Sequence, residues 1–164
     1  MGLPVADAPL LELWMGRLLR AAERAGQLGE IPVAAALLDN RLRCIGWGSN
    51  GRERHSDPLG HAELTALQQG ARVLGDWRFN GCTLVVTLEP CPMCAGALVQ
   101  ARVGRVVYGA SDPKRGALGS CLDLARDATA HHHMQVLGGV LAEQASGQLS
   151  AWFKARRAQA AATG

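Results

Sequence analysis

No stretch of this chain approaches the roughly 20 apolar residues needed to cross a bilayer, so no membrane association is expected. The first residues hold no basic segment leading into an uninterrupted apolar run, so no signal peptide is expected either. Cysteine is sparse and odd in number, with five in 164 residues. Without an export signal, that argues against a disulfide framework. Lysine is limited to Lys114 and Lys154, and the abundance of arginine in its place carries no functional weight. No segment repeats, and no linker is long enough to separate a second domain. One cytoplasmic domain over residues 1–164 is therefore expected, with a basic C-terminal helix from about residue 148.

What is present fits a packed globular chain, with 48% hydrophobic and 19% charged residues. A net charge of +3 permits an anionic partner without demanding one. Leu11, Trp14, Met15, Leu18 and Leu19 recur at helical spacing, which predicts a helix over residues 10–27. Asp7 is available to cap it, and Pro9 suits its first turn. Residues 33–38 and 42–47 read as a hairpin around Asp39-Asn40, and 50–60 as a loop. Helices are expected over 61–74 and 91–101, with strands over 83–88 and 103–108. A loop over 111–119, a short strand at 135–137, and one or two helices within 138–153 complete the chain. Strands alternating with helices imply an α/β layer structure on a mixed sheet.

The chemistry concentrates in His61-Ala62-Glu63 and Pro90-Cys91-Pro92-Met93-Cys94. Cys91 and Cys94 are spaced to put two sulfurs on one face of a helix start, where one ion can bridge them. The partial positive charge of that helix end favours the thiolates that zinc needs. A Cys-x-x-Cys pair alone also fits a redox motif. His61 and Glu63, two apart, would point to nearly opposite sides of a regular helix. Both reach one site only if His61 sits where the backbone is still turning into the helix.

One imidazole and two thiolates leave a zinc ion's fourth position open for water, whereas structural zinc usually has four protein ligands. Zinc brings the pKa of bound water toward neutrality, making hydroxide available. Glu63, kept off the metal, can then move protons. H-x-E…P-C-x-x-C is the signature of zinc-dependent nucleobase deaminases.

The match is wider than the signature. Glu30-Ile31-Pro32-Val33, Asn50, Arg52-Glu53, Asp57-Pro58 and His61-Ala62-Glu63 stand in order. They are followed by Thr87-Leu88-Glu89-Pro90-Cys91-Pro92-Met93-Cys94-Ala95-Gly96-Ala97. Tyr108-Gly109-Ala110, Asp112, Lys114, Gly116, Gly119-Ser120, Trp152-Phe153-Lys154 and Arg156-Arg157 complete the set. Across most of its length the chain resembles the bacterial tRNA-specific adenosine deaminases, whose mechanism is established chemistry.

The resemblance implies a cytidine-deaminase-like three-layer fold, a central mixed sheet of about five strands flanked by helices. It implies a homodimer with one Zn2+ per subunit, acting on the wobble adenosine of a tRNA anticodon stem-loop. His61, Cys91 and Cys94 would bind zinc, and Glu63 would shuttle protons while zinc-held hydroxide attacks C6. Asn50 would hydrogen-bond the flipped base and Val33 would line its pocket. Asp112 and Lys114 would lie near the target nucleotide, and Phe153, Arg156 and Arg157 would meet the stem-loop.

Some positions depart from the family pattern: Ala34, Ser49, Gly60 and Ser111 stand where Gly, Trp, Thr or Ala, and Arg are commoner. None is a ligand. Two alternatives stay open. One is a deaminase of a free base or nucleoside, such as guanine or cytosine, since the metal site does not separate substrates. The other is a non-enzymatic zinc or RNA-binding module. Cys44, Cys82 and Cys121 read as small buried apolar residues. His131, His132 and His133 read as a solvated loop, with a place near the RNA for His132 and a second metal site as the alternatives.

Overall fold

A computed structural model describes residues 7–164. The elements are α1 (Ala8–Gln27), β1 (Ala34–Leu38), β2 (Cys44–Ser49), α2 (Arg52–His55), α3 (Ala62–Leu74), β3 (Thr83–Leu88), α4 (Pro92–Gln100), β4 (Arg105–Ala110), β5 (Gln135–Leu137) and α5 (Ala142–Thr163). The strands form one mixed sheet in the order β2-β1-β3-β4-β5. β1 is antiparallel to both β2 and β3, whereas β3, β4 and β5 run parallel.

The pleat sends alternate residues to opposite faces, and the chain fills both with apolar side chains. Ala35, Leu37, Leu84, Val86 and Val106 join the core under α3 and α4. Ala34, Ala36, Leu38, Val85 and Val107 join the core under α1. This is the expected α/β three-layer arrangement. Leu11, Met15 and Leu18 of α1 are fully buried, each contributing about 1.5–3 kcal/mol. α3 lies directly on the backbone of β2. A Cβ at Gly46 would sit 2.1 Å from the Ala66 carbonyl oxygen, and one at Gly48 2.3 Å from that of Ala62. Any side chain at either position would push α3, and its first turn, off the sheet.

Several local expectations are corrected. Asp7 precedes α1 but its side chain makes no cap; it pairs instead with Arg105 of β4 at 3.1 Å. β2 starts later than expected because the turn holds Leu42 at φ 58 before pairing begins. The segment 50–60 is not all loop. Buried Glu30 accepts the Arg54 and Glu53 backbone N–H groups at 2.8 and 3.3 Å, capping the short helix α2. β4 extends to Ala110, which pairs with Leu88. The last helix is one element of 22 residues, beginning before residue 148.

Of the cysteines expected to be buried, only Cys82 is; Cys44 and Cys121 are exposed. His132 is half-buried rather than solvated, its Nε2 lying 2.8 Å from the Val103 carbonyl oxygen. Among the described residues, no helix is long and apolar enough to cross a membrane.

Candidate metal centre and active site

Two helix starts meet at the site. His61 is the residue just ahead of α3, with extended backbone at φ −93 and ψ 145. Cys91 is the residue just ahead of α4, at φ −72 and ψ 172, with Pro92 opening the helix. Position His61 is thus one residue outside the helix, where the chain is still turning, as the two-residue spacing to Glu63 requires. Neither side chain caps its own helix, which leaves both free to face the centre. Asn50 supplies the missing cap on α3, its Oδ1 accepting the Ala62 N–H at 3.3 Å.

His61 Nδ1 lies 3.6 Å from Cys91 Sγ and 3.4 Å from Cys94 Sγ. All three donor atoms fall within 4.8 Å of one another. Two ligands bound to zinc at about 2.1 and 2.3 Å and at tetrahedral angles lie about 3.6 Å apart. The donor set and its spacing therefore fit one zinc ion.

The two sulfurs titrate in opposite directions. Cys91 is held down to about 3, chiefly because the Cys94 thiol donates to it, with His61 and the Cys94 backbone N–H adding to the effect. Cys94 is pushed up by that same donation, by burial and by the nearby charge of Glu63. A bound zinc ion would favour the thiolate at both sulfurs, since its positive charge opposes the burial that raises Cys94. The His61 pKa is raised, first by its bond with Cys91 and against the effect of burial.

Glu63 is only 4% exposed, in the first turn of α3. Burial pushes its carboxyl well above the ordinary range, opposed in part by its own backbone N–H, the His61 charge and the Cys94 thiol. A carboxyl with raised proton affinity beside a metal site is suited to taking and returning protons.

The remaining residues singled out from the sequence surround this centre unevenly. Asn50 is buried, and its Nδ2 donates to the Ile31 carbonyl at 3.1 Å while its Oδ1 caps α3. Each of those atoms retains one further hydrogen-bonding position. Val33, 4% exposed, leads into β1, and its carbonyl accepts the Asn50 N–H at 3.1 Å. Asp112 is half-buried, its Oδ1 accepting the Lys114 and Arg115 N–H groups at 3.0 and 3.1 Å. The Lys114 side chain is exposed.

Phe153, Arg156 and Arg157 lie well down α5, within a run where residues 153–164 are all exposed. Trp152 anchors that helix, donating from Nε1 to the Gly26 carbonyl at 3.0 Å. Phe153 meets it edge to face at 5.1 Å, and the Arg156 guanidinium sits 5.3 Å from its ring centre. Trp152 thus packs on α1, and Phe153, 40% exposed, does not share that anchorage.

Sequence reasoning assigned no part to Glu89, although it stands within the motif that carries Cys91 and Cys94. It is 2% exposed and organises the 112–120 segment. The signal was available: a charged residue directly after an apolar strand and before a ligand is either solvated or heavily hydrogen-bonded.

Fold and site together define a zinc-dependent deaminase. Residues 9–110 match the cytidine and deoxycytidylate deaminase zinc-binding region. A tRNA-specific adenosine deaminase of Bacillus subtilis (strain 168) is 42% identical over 146 residues, covering 89% of this chain and 90% of that protein. One from Haemophilus influenzae is 47% identical over 146 residues, covering 89% and 84%. A solved structure described as a tRNA:A34 deaminase editing A to I at the wobble position superposes with a TM-score of 0.76. It is 36% identical, over 80% of this chain and 94% of that one. The chain belongs to the tRNA-specific adenosine deaminase family.

Proposed function

We propose that this chain hydrolyses the wobble adenosine of a tRNA anticodon loop to inosine and ammonia. The observation that carries the reading is the convergence of His61 Nδ1, Cys91 Sγ and Cys94 Sγ beside the buried carboxyl of Glu63. The tRNA-specific relatives support the substrate. His61, Cys91 and Cys94 hold zinc. When bound, the metal acts as a Lewis acid that brings the pKa of water close to 7.

Glu63 takes the proton that the attacking water gives up and delivers it to N1 of the adenine. The same carboxylate then takes the proton of the hydroxyl now on C6 and passes it to the exocyclic nitrogen; the C6–N bond breaks, neutral ammonia departs and the C6 oxygen becomes the carbonyl of inosine. Asn50 spends its remaining donor and acceptor positions on the edge of the flipped base, and Val33 walls the pocket. Asp112 and Lys114 receive the nucleotide and its backbone. Phe153, Arg156 and Arg157 contact the stem-loop through stacking and phosphate pairing. The enzyme works as a cytoplasmic homodimer, with tRNA contacting both subunits; sedimentation at micromolar concentration would return twice the chain mass, and a monomer would remove this part.

The deciding experiment supplies the zinc-loaded protein with an adenosine-wobble anticodon stem-loop and, separately, with free guanine and cytosine. Inosine in the stem-loop and no product from either base is expected. Turnover of a free base with an untouched stem-loop would transfer the chain to the small-molecule deaminases.

A further inference from the structure

The Glu89 side chain joins the metal-bearing turn to the 112–120 segment. Its Oε1 accepts the Leu118 and Ser120 backbone N–H groups, each at 3.1 Å. Its Oε2 accepts the Asp112 N–H at 3.0 Å and the Ser120 hydroxyl. Both lone-pair directions of each oxygen are thus in use. The backbone on either side adds two bonds, Glu89 N–H to the Ala110 carbonyl at 2.8 Å and Ala117 N–H to the Pro90 carbonyl at 2.9 Å. The segment closes onto the carboxylate so tightly that a Cβ on Gly116 would lie 2.3 Å from Oε2.

Two residues further along the chain from Glu89 is Cys91, a ligand at the metal centre. At the other end of its hydrogen bonds is Asp112, whose side chain shapes the turn that presents exposed Lys114. A single buried carboxylate therefore holds the metal-bearing turn and the substrate-facing segment at a set separation. The charge is needed because four donors converge on it. A carboxylate accepts from all four, whereas an amide in the same shape turns its NH2 toward at least one N–H that has no lone pair to receive it.

We infer that Glu89 is a positioning residue for the RNA substrate, fixing the 112–120 segment relative to the metal centre without touching the reacting atoms. This rests on the tRNA deaminase reading above. It assigns Glu89 to substrate hold and leaves the proton transfers to Glu63.

The test compares wild type with Glu89→Gln and Glu89→Asp, and with Ser120→Ala, which removes one of the four bonds and keeps the charge. Zinc content, the KM and kcat on an anticodon stem-loop, and hydrogen exchange at the Asp112, Leu118 and Ser120 amides are measured for each. Glu89→Gln should retain its zinc, raise KM on the order of tenfold with kcat within about threefold, and lose protection at whichever of the three amides faces the new NH2 group. Glu89→Asp should restore part of the KM, since the charge returns. Ser120→Ala should give a smaller KM rise in the same direction, and it carries the test if the Glu89 variants do not fold.

An unchanged KM with unchanged protection would overturn the inference. So would a fall in kcat at constant KM, or loss of zinc, because either would make Glu89 part of the metal centre. Amide protection reads the clamp without any turnover. A wild type inactive on the stem-loop would therefore defeat the substrate reading, while full protection in Glu89→Gln would defeat the clamp.

Discussion

The start of α3 and the turn into α4 each bury a glutamate, and their surroundings drive the two carboxyls apart. Glu63 is 4% exposed and Glu89 2%. Burial raises the proton affinity of Glu63, and few donors oppose it. Burial pushes Glu89 upward too, but the Ser120 hydroxyl and the N–H groups of Asp112, Ser120 and Leu118 outweigh it, and its pKa ends below the ordinary value. Burial by itself does not decide what a carboxyl does. The number of donors aimed at the charged form decides it. Glu63 is left able to pick up a proton, while Glu89 is locked as an anion that organises backbone.

The contrast breaks most visibly at the metal centre. Replacing Cys94 with Ala should take bound zinc from about one ion per chain to none and abolish turnover, as read by metal analysis and inosine assay. Glu63→Gln should keep zinc and lose about 10²–10⁴-fold in kcat. If kcat survived, another group would move the proton and Glu63 would be one more buried side chain.

Glu89→Ala is expected to act on stability first. It orphans three backbone N–H groups, at about 1–3 kcal/mol for each that stays buried and unpaired. For a chain of this size, each kcal/mol lowers the melting temperature by roughly 2–4 °C. A melting curve unchanged by Glu89→Ala would mean that water replaces the carboxylate at no cost.

The Arg156→Ala/Arg157→Ala pair asks whether substrate hold extends beyond the Glu89 segment. KM on the stem-loop should rise several-fold with kcat unchanged. The salt dependence of binding should flatten by about 0.7 for each phosphate left without its arginine. An unaltered salt slope would return the end of α5 to a solvated helix.

The smallest effect is expected at Asp39, a surface relative of the Glu89 arrangement. Its carboxylate accepts the Arg41 and Arg43 N–H groups at 2.8 and 3.0 Å and pairs with the Arg43 guanidinium. Burial pushes its pKa up, but the Arg43 and Arg41 donors outweigh that and hold it below its ordinary 3.8. A depressed carboxyl contributes stability that is present above its unfolded value and lost as pH falls through the folded one. The Asp39→Ala difference should therefore be under about 1 kcal/mol at neutral pH and fade below about pH 4. A large drop at pH 7 would show that an exposed turn can match a buried clamp.

Much of this was readable from residue order. His61, Glu63, Cys91 and Cys94 could be paired because ligand chemistry restricts which side chains bind zinc, and because proline marks the helix start behind Cys91. The strands at 83–88 and 135–137 kept their bounds because apolar runs between turn residues leave little choice. Other boundaries moved where a distant partner took over. Asp7 went to Arg105 instead of α1. Glu30 capped a short helix within a segment that reads as polar loop. His132 found the Val103 carbonyl oxygen.

By itself, the sequence determined the longer helices and the strands in order, the candidate metal-binding residues and the reaction class, since these depend on residue type and short spacing. The tertiary structure alone decided how the surroundings of the two buried glutamates divide. That division depends on donors arriving from residues up to 31 positions away in the chain, which no local pattern encodes. It also decided that Cys91 and Cys94, three residues apart and chemically identical, are enclosed to different degrees. Cys91 is half-buried ahead of the helix, whereas Cys94 is buried within its first turn.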